Sequence, residues 1–145
     1  MFISTKGQYA LRVMLDLAMN WNGSYVTVKS IANRQGISEK YLEQIMGLLS
    51  KAGYLRSVRG AKGGYCLADN PANYTVGMVL RTVEGNLSPV DTRVVSGEEN
   101  AQMTDSVING IWIKLENAID DIVDKITIED LVEDYNAKIG YTYMI

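Results

Sequence analysis

The sequence predicts a mainly α-helical fold with one small β-hairpin, arranged as a winged helix-turn-helix and followed by a long dimerisation helix. Three observations lead to this prediction. Two short stretches with helix-capping residues lie on either side of a glycine turn, which is the arrangement of a helix-turn-helix. Two strand-like runs joined by a glycine-rich connection follow directly, as a wing would. A one-sided apolar stretch then extends over residues 103–126, and a long helix of that kind usually buries its stripe against another chain.

The helix-turn-helix is predicted from its caps. Residues 9–21 are apolar on nearly all sides, which predicts a buried first helix. Thr27 and Ser38 are natural N-caps for the next two helices, because their hydroxyl oxygens can accept hydrogen bonds from unpaired backbone N–H groups. Gly36 suits the left-handed position that ends the first of these two helices. The second helix should continue through about Ala52.

The predicted wing consists of strands over residues 54–59 and 65–68, connected by the glycine-rich segment 60–64. Thr75 should then cap a further helix that Gly85 ends. Residues 86–100 are polar and acidic and contain a proline, which is typical of a loop.

Apolar side chains of the long helix recur at intervals of seven residues, the spacing of a helix that packs along another helix. The predicted dimer-interface residues are Ile108, Ile111, Trp112, Leu115, Ile119 and Ile122. The alternative is that this stripe packs back on its own domain. The predicted organisation is a winged-helix DNA-binding domain over residues 1–85, a loop over 86–102, the dimerisation helix with a short C-terminal helix over 103–135, and a tail over 136–145.

Composition predicts a cytoplasmic protein without an internal disulfide. No apolar run approaches the roughly 18 residues that a membrane span requires, and the first residues lack the apolar core of a signal peptide. Cys66 is the single cysteine, which excludes a disulfide framework within the chain. An enzyme is not expected, because the sequence has no histidine, no nucleotide-binding loop and no acid pair in a catalytic setting.

The net charge of −3 conceals two halves of opposite sign. Through Cys66 there are nine Lys and Arg residues against three acids, a net charge of +6, whereas the remainder has five against fourteen, a net charge of −9. A basic half joined to an acidic half indicates that the first half meets a polyanion. The alternative is that both halves are ordinary solvated surface.

The basic half contains the residue types that duplex DNA requires. Lys40, Glu43 and Gln44 should project from the second motif helix, where Gln can pair with adenine and Glu can accept from cytosine. Arg59 and Lys62 flank the wing glycines, where cations can enter a minor groove or bind phosphate. The candidate DNA-binding residues are Ser4, Thr5 and Lys6, as phosphate contacts, with Ser38, Lys40, Tyr41, Glu43, Gln44, Arg59, Gly60, Lys62, Gly63, Gly64 and Tyr65.

Two of these assignments have plain structural alternatives. Glu43 could be a solvated acid or an intramolecular partner of Lys40 or Lys51. Gly63 and Gly64 could form an ordinary hairpin turn rather than a place where backbone approaches DNA.

Three segments resemble the Rrf2 family of bacterial transcription regulators: ISTKG at 3–7, YLEQ at 41–44 and VRGAKGGY at 58–65. The resemblance covers nearly the whole chain, including the long helix. It implies a winged-helix homodimer whose second motif helix and wing bind palindromic operators in double-stranded DNA. It also implies that Lys40, Glu43 and Arg59 lie where family members contact bases or the minor groove.

The sequence departs from the family in one respect. Many members bind an iron–sulfur cluster through three cysteines before the long helix, but residues 86–103 contain no cysteine. Cluster ligation requires several thiolates, so we expect no iron–sulfur cluster and no other cofactor. Cys66 should be a small strand hydrophobe, with a redox role as the alternative.

The segments EGNLSPV at 84–90, TIEDL at 127–131 and YTYMI at 141–145 are similar to cluster-free family members that repress cysteine metabolism. This resemblance implies a repressor of cysteine and sulfur metabolism genes that is modulated by cysteine synthase (O-acetylserine sulfhydrylase). Tyr143, Met144 and Ile145 would enter that enzyme, whose site receives a carboxylate. The alternative for the tail is a frayed terminus. The alternative function is a regulator of other genes that senses a small molecule or oxidation at Cys66.

Overall fold

The computed structural model describes residues 3–91, 93 and 97–144, except for the side chains of Asn100, Tyr143 and Met144. The elements in chain order are α1 (Thr5–Met19), α2 (Val28–Gln35), α3 (Glu39–Lys51), β1 (Leu55–Val58), β2 (Gly64–Leu67), a 3₁₀ turn (Pro71–Asn73), α4 (Val76–Glu84), α5 (Glu99–Val123) and α6 (Ile128–Met144). The predicted fold class, mainly helical with one hairpin, is confirmed. Within the described ranges, no helix is both long enough and apolar enough to cross a membrane.

Local hydrogen bonds determine where the helices of the first half begin and end. The side chains of Thr27, Ser38 and Thr75 each accept a hydrogen bond from a backbone N–H three residues on, as the sequence predicts. Gly36 has a φ of 66° and ends α2, in the left-handed conformation that only glycine adopts without steric cost.

One apolar core contains residues from each of the helices α1, α2, α3 and α4, from the hairpin and from the start of α6. Helix α1 runs through its centre, with Ala10, Val13 and Met14 fully buried, and Ile128 of α6 is buried in the same cluster. The first turn of α6 therefore belongs to the winged-helix core, although the rest of that helix is largely exposed.

A third extended segment, at Val26, pairs with the wing close to its turn. Strands β1 and β2 pair antiparallel, with Leu55 opposite Leu67 and Val58 opposite Gly64. Val26, just before α2, donates to the carbonyl of Tyr65 at 2.8 Å, and the Tyr65 N–H donates back at 2.7 Å. The hairpin is thus hydrogen-bonded to the helix-turn-helix itself.

Two ion pairs of one arginine and a small apolar cluster join α5 to α4. Arg81 donates to Asp120 at 2.6 Å and to Asp124 at 2.5 Å. Hydrogen bonds from Arg81 lower the pKa of Asp124 below its usual value, so this carboxylate stays ionised. Ile119 and Val123 pack with Ile126 against a buried cluster of Val76, Leu80 and Leu87. These contacts determine the direction in which the long helix leaves the domain.

The boundaries of three helices differ from the sequence-based expectation. Helix α1 begins at Thr5 rather than residue 9, and α5 extends over Glu99–Val123 rather than 103–126. Helix α6 does not end at Tyr135; it has 17 residues and continues to Met144 through most of the expected tail. Extending an existing helix adds one hydrogen bond per residue, whereas a glycine such as Gly140 costs only about 1 kcal/mol.

Candidate nucleic-acid interface

Helix α3 has one buried face and one exposed polar face. Leu42, Ile45, Met46 and Leu49 are fully buried, which directs the side chains of Lys40, Glu43 and Gln44 to solvent. Glu43 forms no ion pair with Lys40 or Lys51 among the described residues. The intramolecular alternative for Glu43 therefore has no support, and the polar face is available to a ligand.

Ser38 and Tyr41 position the first turn of α3. The Ser38 hydroxyl accepts a hydrogen bond from the Tyr41 N–H at 3.2 Å. The Tyr41 ring packs edge-on against Tyr9 with a centroid distance of 5.8 Å, and the Arg12 guanidinium lies 5.5 Å from the centroid of the Tyr9 ring. Both predicted DNA-binding residues thus have a structural role in this helix.

The wing tip presents two cations on an exposed turn. Arg59, Gly60, Ala61 and Lys62 are all exposed, and the Gly63 N–H closes the turn by donating to the Gly60 carbonyl at 3.0 Å. Exposed guanidinium and ammonium groups on a narrow turn can reach phosphates or enter a minor groove.

The paired wing glycines serve the hairpin itself. A Cβ on Gly63 would overlap the carbonyl oxygen of Val58, and a Cβ on Gly64, whose φ is 144°, would overlap that of Val26. Internal packing therefore requires both glycines, as the hairpin alternative supposes. Tyr65 is half-buried and holds the bridge to Val26.

Replacing Gly63 with alanine should distort the wing. We expect the free energy of unfolding to fall by about 1–3 kcal/mol, the usual range for overpacking, and DNA binding to weaken because the tip moves. Thermal unfolding and a DNA titration would measure both effects. Gly110→Ala is the control, because a Cβ there meets open space and alanine favours a helix. Equal stability of the two variants would contradict this explanation.

The N-terminal segment differs from the sequence-based interpretation at Ser4. The Ser4 hydroxyl accepts from the Gly7 N–H at 3.2 Å and donates its single proton to Oε1 of Glu84 at 2.5 Å, and the Ser4 N–H donates to the same oxygen at 2.9 Å. A hydroxyl has only one proton to donate, so Ser4 is not a phosphate donor in this structure. Thr5 is exposed and Lys6 is partly exposed. Sequence reasoning missed Glu84 because it lies 80 positions from Ser4.

The apolar stripe of α5 divides between two roles. Ile108, Ile111, Leu115 and Ile122 are exposed, Ile122 by 61%. Ile119 is half-buried against the cluster of its own domain, as the alternative for this helix supposes, and Trp112 is half-buried. Most of the predicted interface is thus uncovered in the single chain.

The predicted partner-binding tail lies largely outside the described residues. Ile145 is outside them, and Tyr143 and Met144 are described only as backbone at the end of α6. Cys66 is half-buried on β2 opposite Arg56. In the described part of the chain, no group of three metal-ligating side chains comes together.

A protein-family model, known relatives and solved structures each match nearly the whole length of the chain. The Rrf2 family model, described as an iron-dependent transcriptional regulator, matches residues 3–134. The HTH-type transcriptional regulator CymR of Bacillus subtilis is 40% identical over 90% of this chain and 89% of its own length. The HTH-type transcriptional regulator IscR of Pectobacterium atrosepticum is 38% identical over 91% of this chain and 79% of its own. The structure titled as CymR, the global cysteine regulator of B. subtilis, superimposes with a TM-score of 0.78 at 39% identity, covering 92% of this chain and 97% of that one.

Proposed function

Because the chain belongs to the Rrf2 family of transcriptional regulators, we propose that it represses genes of cysteine and sulfur metabolism as a homodimer on a palindromic operator. It is a DNA-binding transcription regulator and not an enzyme. The observation that carries the DNA-binding mode is the uncovered polar face of α3 beside a cationic wing tip. The similarity to the global cysteine regulator supports the choice of target genes.

The geometry favours insertion of α3 into the major groove. Lys40, Glu43 and Gln44 occupy its exposed face near the helix N-terminus, the end that reads bases in helix-turn-helix proteins. Arg59 and Lys62 of the wing would lie along the flanking minor groove or backbone, and Lys6 would contact phosphate. A twofold dimer would repeat these contacts on two half-sites, which is why the operator should be palindromic.

A titration of promoter DNA tests this function. Fragments from promoters of cysteine-metabolism genes should bind with a specificity ratio of about 10³ or more over unrelated DNA at the same salt concentration. Affinity should fall as salt rises, because bound phosphates release counterions. Equal affinity for both kinds of fragment would contradict the assigned targets.

Replacing Arg59 with alanine should weaken operator binding by about 1–3 kcal/mol if it makes a specific groove contact. Fluorescence anisotropy with labelled operator would measure the change. Arg93→Ala is the control, because Arg93 is paired with Glu116 of α5 at 2.9 Å and is not among the predicted DNA-binding residues. Unchanged affinity of the Arg59 variant would remove Arg59 from the interface.

An iron–sulfur cluster does not fit this chain, although IscR relatives match it. The chain has one cysteine and no histidine, and that cysteine is paired in register within the hairpin. A cluster needs several thiolate or imidazole ligands. The regulatory signal must therefore enter by another route.

That route in our proposal is a complex with cysteine synthase through Tyr143, Met144 and Ile145. Helix α6 is exposed from Glu133 to Thr142, so it presents its C-terminal end away from the core. A terminal carboxylate is a group that backbone N–H groups of a partner can capture. Binding of cysteine synthase would stabilise the repressor on DNA, and O-acetylserine would compete for the same site.

Deleting residues 143–145 should abolish capture of purified cysteine synthase and leave basal operator affinity unchanged. Size-exclusion chromatography of the mixture would report the complex, and O-acetylserine should dissociate the full-length one. Ile139→Ser is the control, because it changes an exposed residue of the same helix and keeps the terminus. Retention of the complex after the deletion would rule out this tail as the contact.

A further inference from the structure

A cavity of about 440 Å³ lies where the C-terminal ends of α1 and α2 meet α6. Its apolar wall consists of Leu15, Met19 and Tyr135, and its polar wall of Asn20, Arg34 and Gln35. None of these residues belongs to the DNA-binding surface or to the α5 stripe described above. The volume is within the usual range of small-molecule sites.

A buried carboxylate organises the polar wall. Asp16 of α1 is only 1% exposed and accepts from Nε and Nη2 of Arg34 at 3.0 and 2.7 Å, and from Nε2 of Gln35 at 2.9 Å. Asp16 also raises the pKa of Arg34, chiefly through these hydrogen bonds. The side chains of Arg34 and Gln35 are therefore held in fixed orientations at the cavity wall.

The polar atoms of Arg34, Gln35 and Asn20 that do not bond to Asp16 include both hydrogen-bond donors and acceptors. A guanidinium bound through Nε and Nη2 keeps a second edge, formed by Nη1 and the outer N–H of Nη2, that can grip another carboxylate. The amide of Gln35 gives its nitrogen to Asp16, so its oxygen is directed elsewhere, and the Asn20 amide nitrogen likewise donates to the Asp16 carbonyl at 2.8 Å. No other residue in the described ranges bonds to Nη1 of Arg34 or to either amide oxygen.

The net charge of the cavity favours a zwitterionic ligand over a simple anion. Asp16 already neutralises Arg34, so an added lone carboxylate would leave one net negative charge in a partly enclosed site. A zwitterion brings an ammonium group that the two amide oxygens can accept, and it leaves the site neutral. We propose that this cavity binds a small α-amino acid, with its carboxylate on Arg34, its ammonium on Asn20 and Gln35, and an apolar side chain against Leu15, Met19 and Tyr135.

Such a ligand would contact both the helix-turn-helix and the C-terminal helix α6. Arg34 and Gln35 end the first helix of the helix-turn-helix, whereas Tyr135 belongs to α6. A bound amino acid would therefore bridge the DNA-binding motif and the C-terminal helix. This site is independent of the tail contact proposed above.

Isothermal titration of the full chain with L-methionine and L-leucine tests the site, each paired with its carboxamide. We expect the amino acids to bind and the amides to bind roughly 10- to 100-fold more weakly, because the amide lacks the charged acceptor for Arg34. No heat of binding for either amino acid up to about 10 mM, where a site this weak would contribute little, would overturn the proposal. Equal affinity for acids and amides would overturn it as well.

Variants of the apolar wall locate the site without breaking the Asp16 pair. Met19→Glu should abolish binding, because it places a second carboxylate beside the ligand. Tyr135→Ala should weaken binding several-fold, whereas Tyr141→Ala, which removes an exposed ring from the same helix, should not change it. If Tyr135→Ala and Tyr141→Ala bind the amino acids as tightly as the unmodified chain does, the assignment to this cavity is wrong.

Discussion

Replacing Arg34 with alanine is expected to lower the free energy of unfolding by about 3 kcal/mol, one of the two largest effects that we predict. Asp16, which is 1% exposed in the intact chain, would lose both of its bonds to the guanidinium and keep the one from Gln35. An unpaired buried charge costs about 3–5 kcal/mol. We expect the lower end because the adjoining cavity admits water. Urea unfolding followed by circular dichroism would measure the change.

Arg81→Ala is the matched control for this prediction. Arg81 also makes bidentate contacts to aspartate, but its partners Asp120 and Asp124 are each 44% exposed. Solvated pairs contribute only about 0–1 kcal/mol. Asp16→Leu added to Arg34→Ala should recover much of the lost stability, because an apolar residue removes the unpaired charge. Equal, small losses at Arg34 and Arg81 would contradict the importance of burial.

The second large effect is expected at the exposed stripe of α5. Ile111→Glu should convert the proposed homodimer into monomers, because it would place a charge in the centre of the apolar interface that we propose. A monomer holds one half-site and loses the advantage of linked contacts, which we expect to reduce operator affinity by about 10²–10⁴-fold. Analytical ultracentrifugation and an operator titration would measure the two changes.

Ile113→Glu provides the control on the same helix. Ile111 and Ile113 are exposed to nearly the same extent, 46% and 45%, but two residues along a helix differ in direction by about 200°. Ile113 therefore lies away from the stripe, and its substitution should leave the dimer intact. Dissociation by both variants, or by neither, would show that the interface does not lie on this face.

Local chemistry explains what the sequence predicted well. The caps at Thr27, Ser38 and Thr75 involve contacts three residues apart, so the sequence contains all the information that they need. The same holds for the turn at Gly36. The exposed face of α3 follows from its apolar periodicity, which requires only that the other face be buried.

Long-range contacts explain what the sequence could not predict. Residues 5–8 are mostly polar, so the apolar pattern does not show that α1 begins at Thr5, and the bond that occupies the Ser4 hydroxyl is made to Glu84, 80 positions away. The role of Asp16 is not visible in the apolar pattern of its own helix, because its partner Arg34 comes from a different element. The double role of the α5 stripe was likewise hidden, since only the fold brings Ile119 to Leu80.

The hydrogen bonds between Val26 and Tyr65 have a kinetic consequence. They hold the wing against the segment that leads into α2 before any DNA is present, so the entropy of ordering the wing is lost during folding rather than on binding. Association should then be governed by collision and orientation, which vary little among operators. We therefore expect the regulator to distinguish strong operators from weak ones by how long each complex lasts, and hardly at all by how quickly it forms.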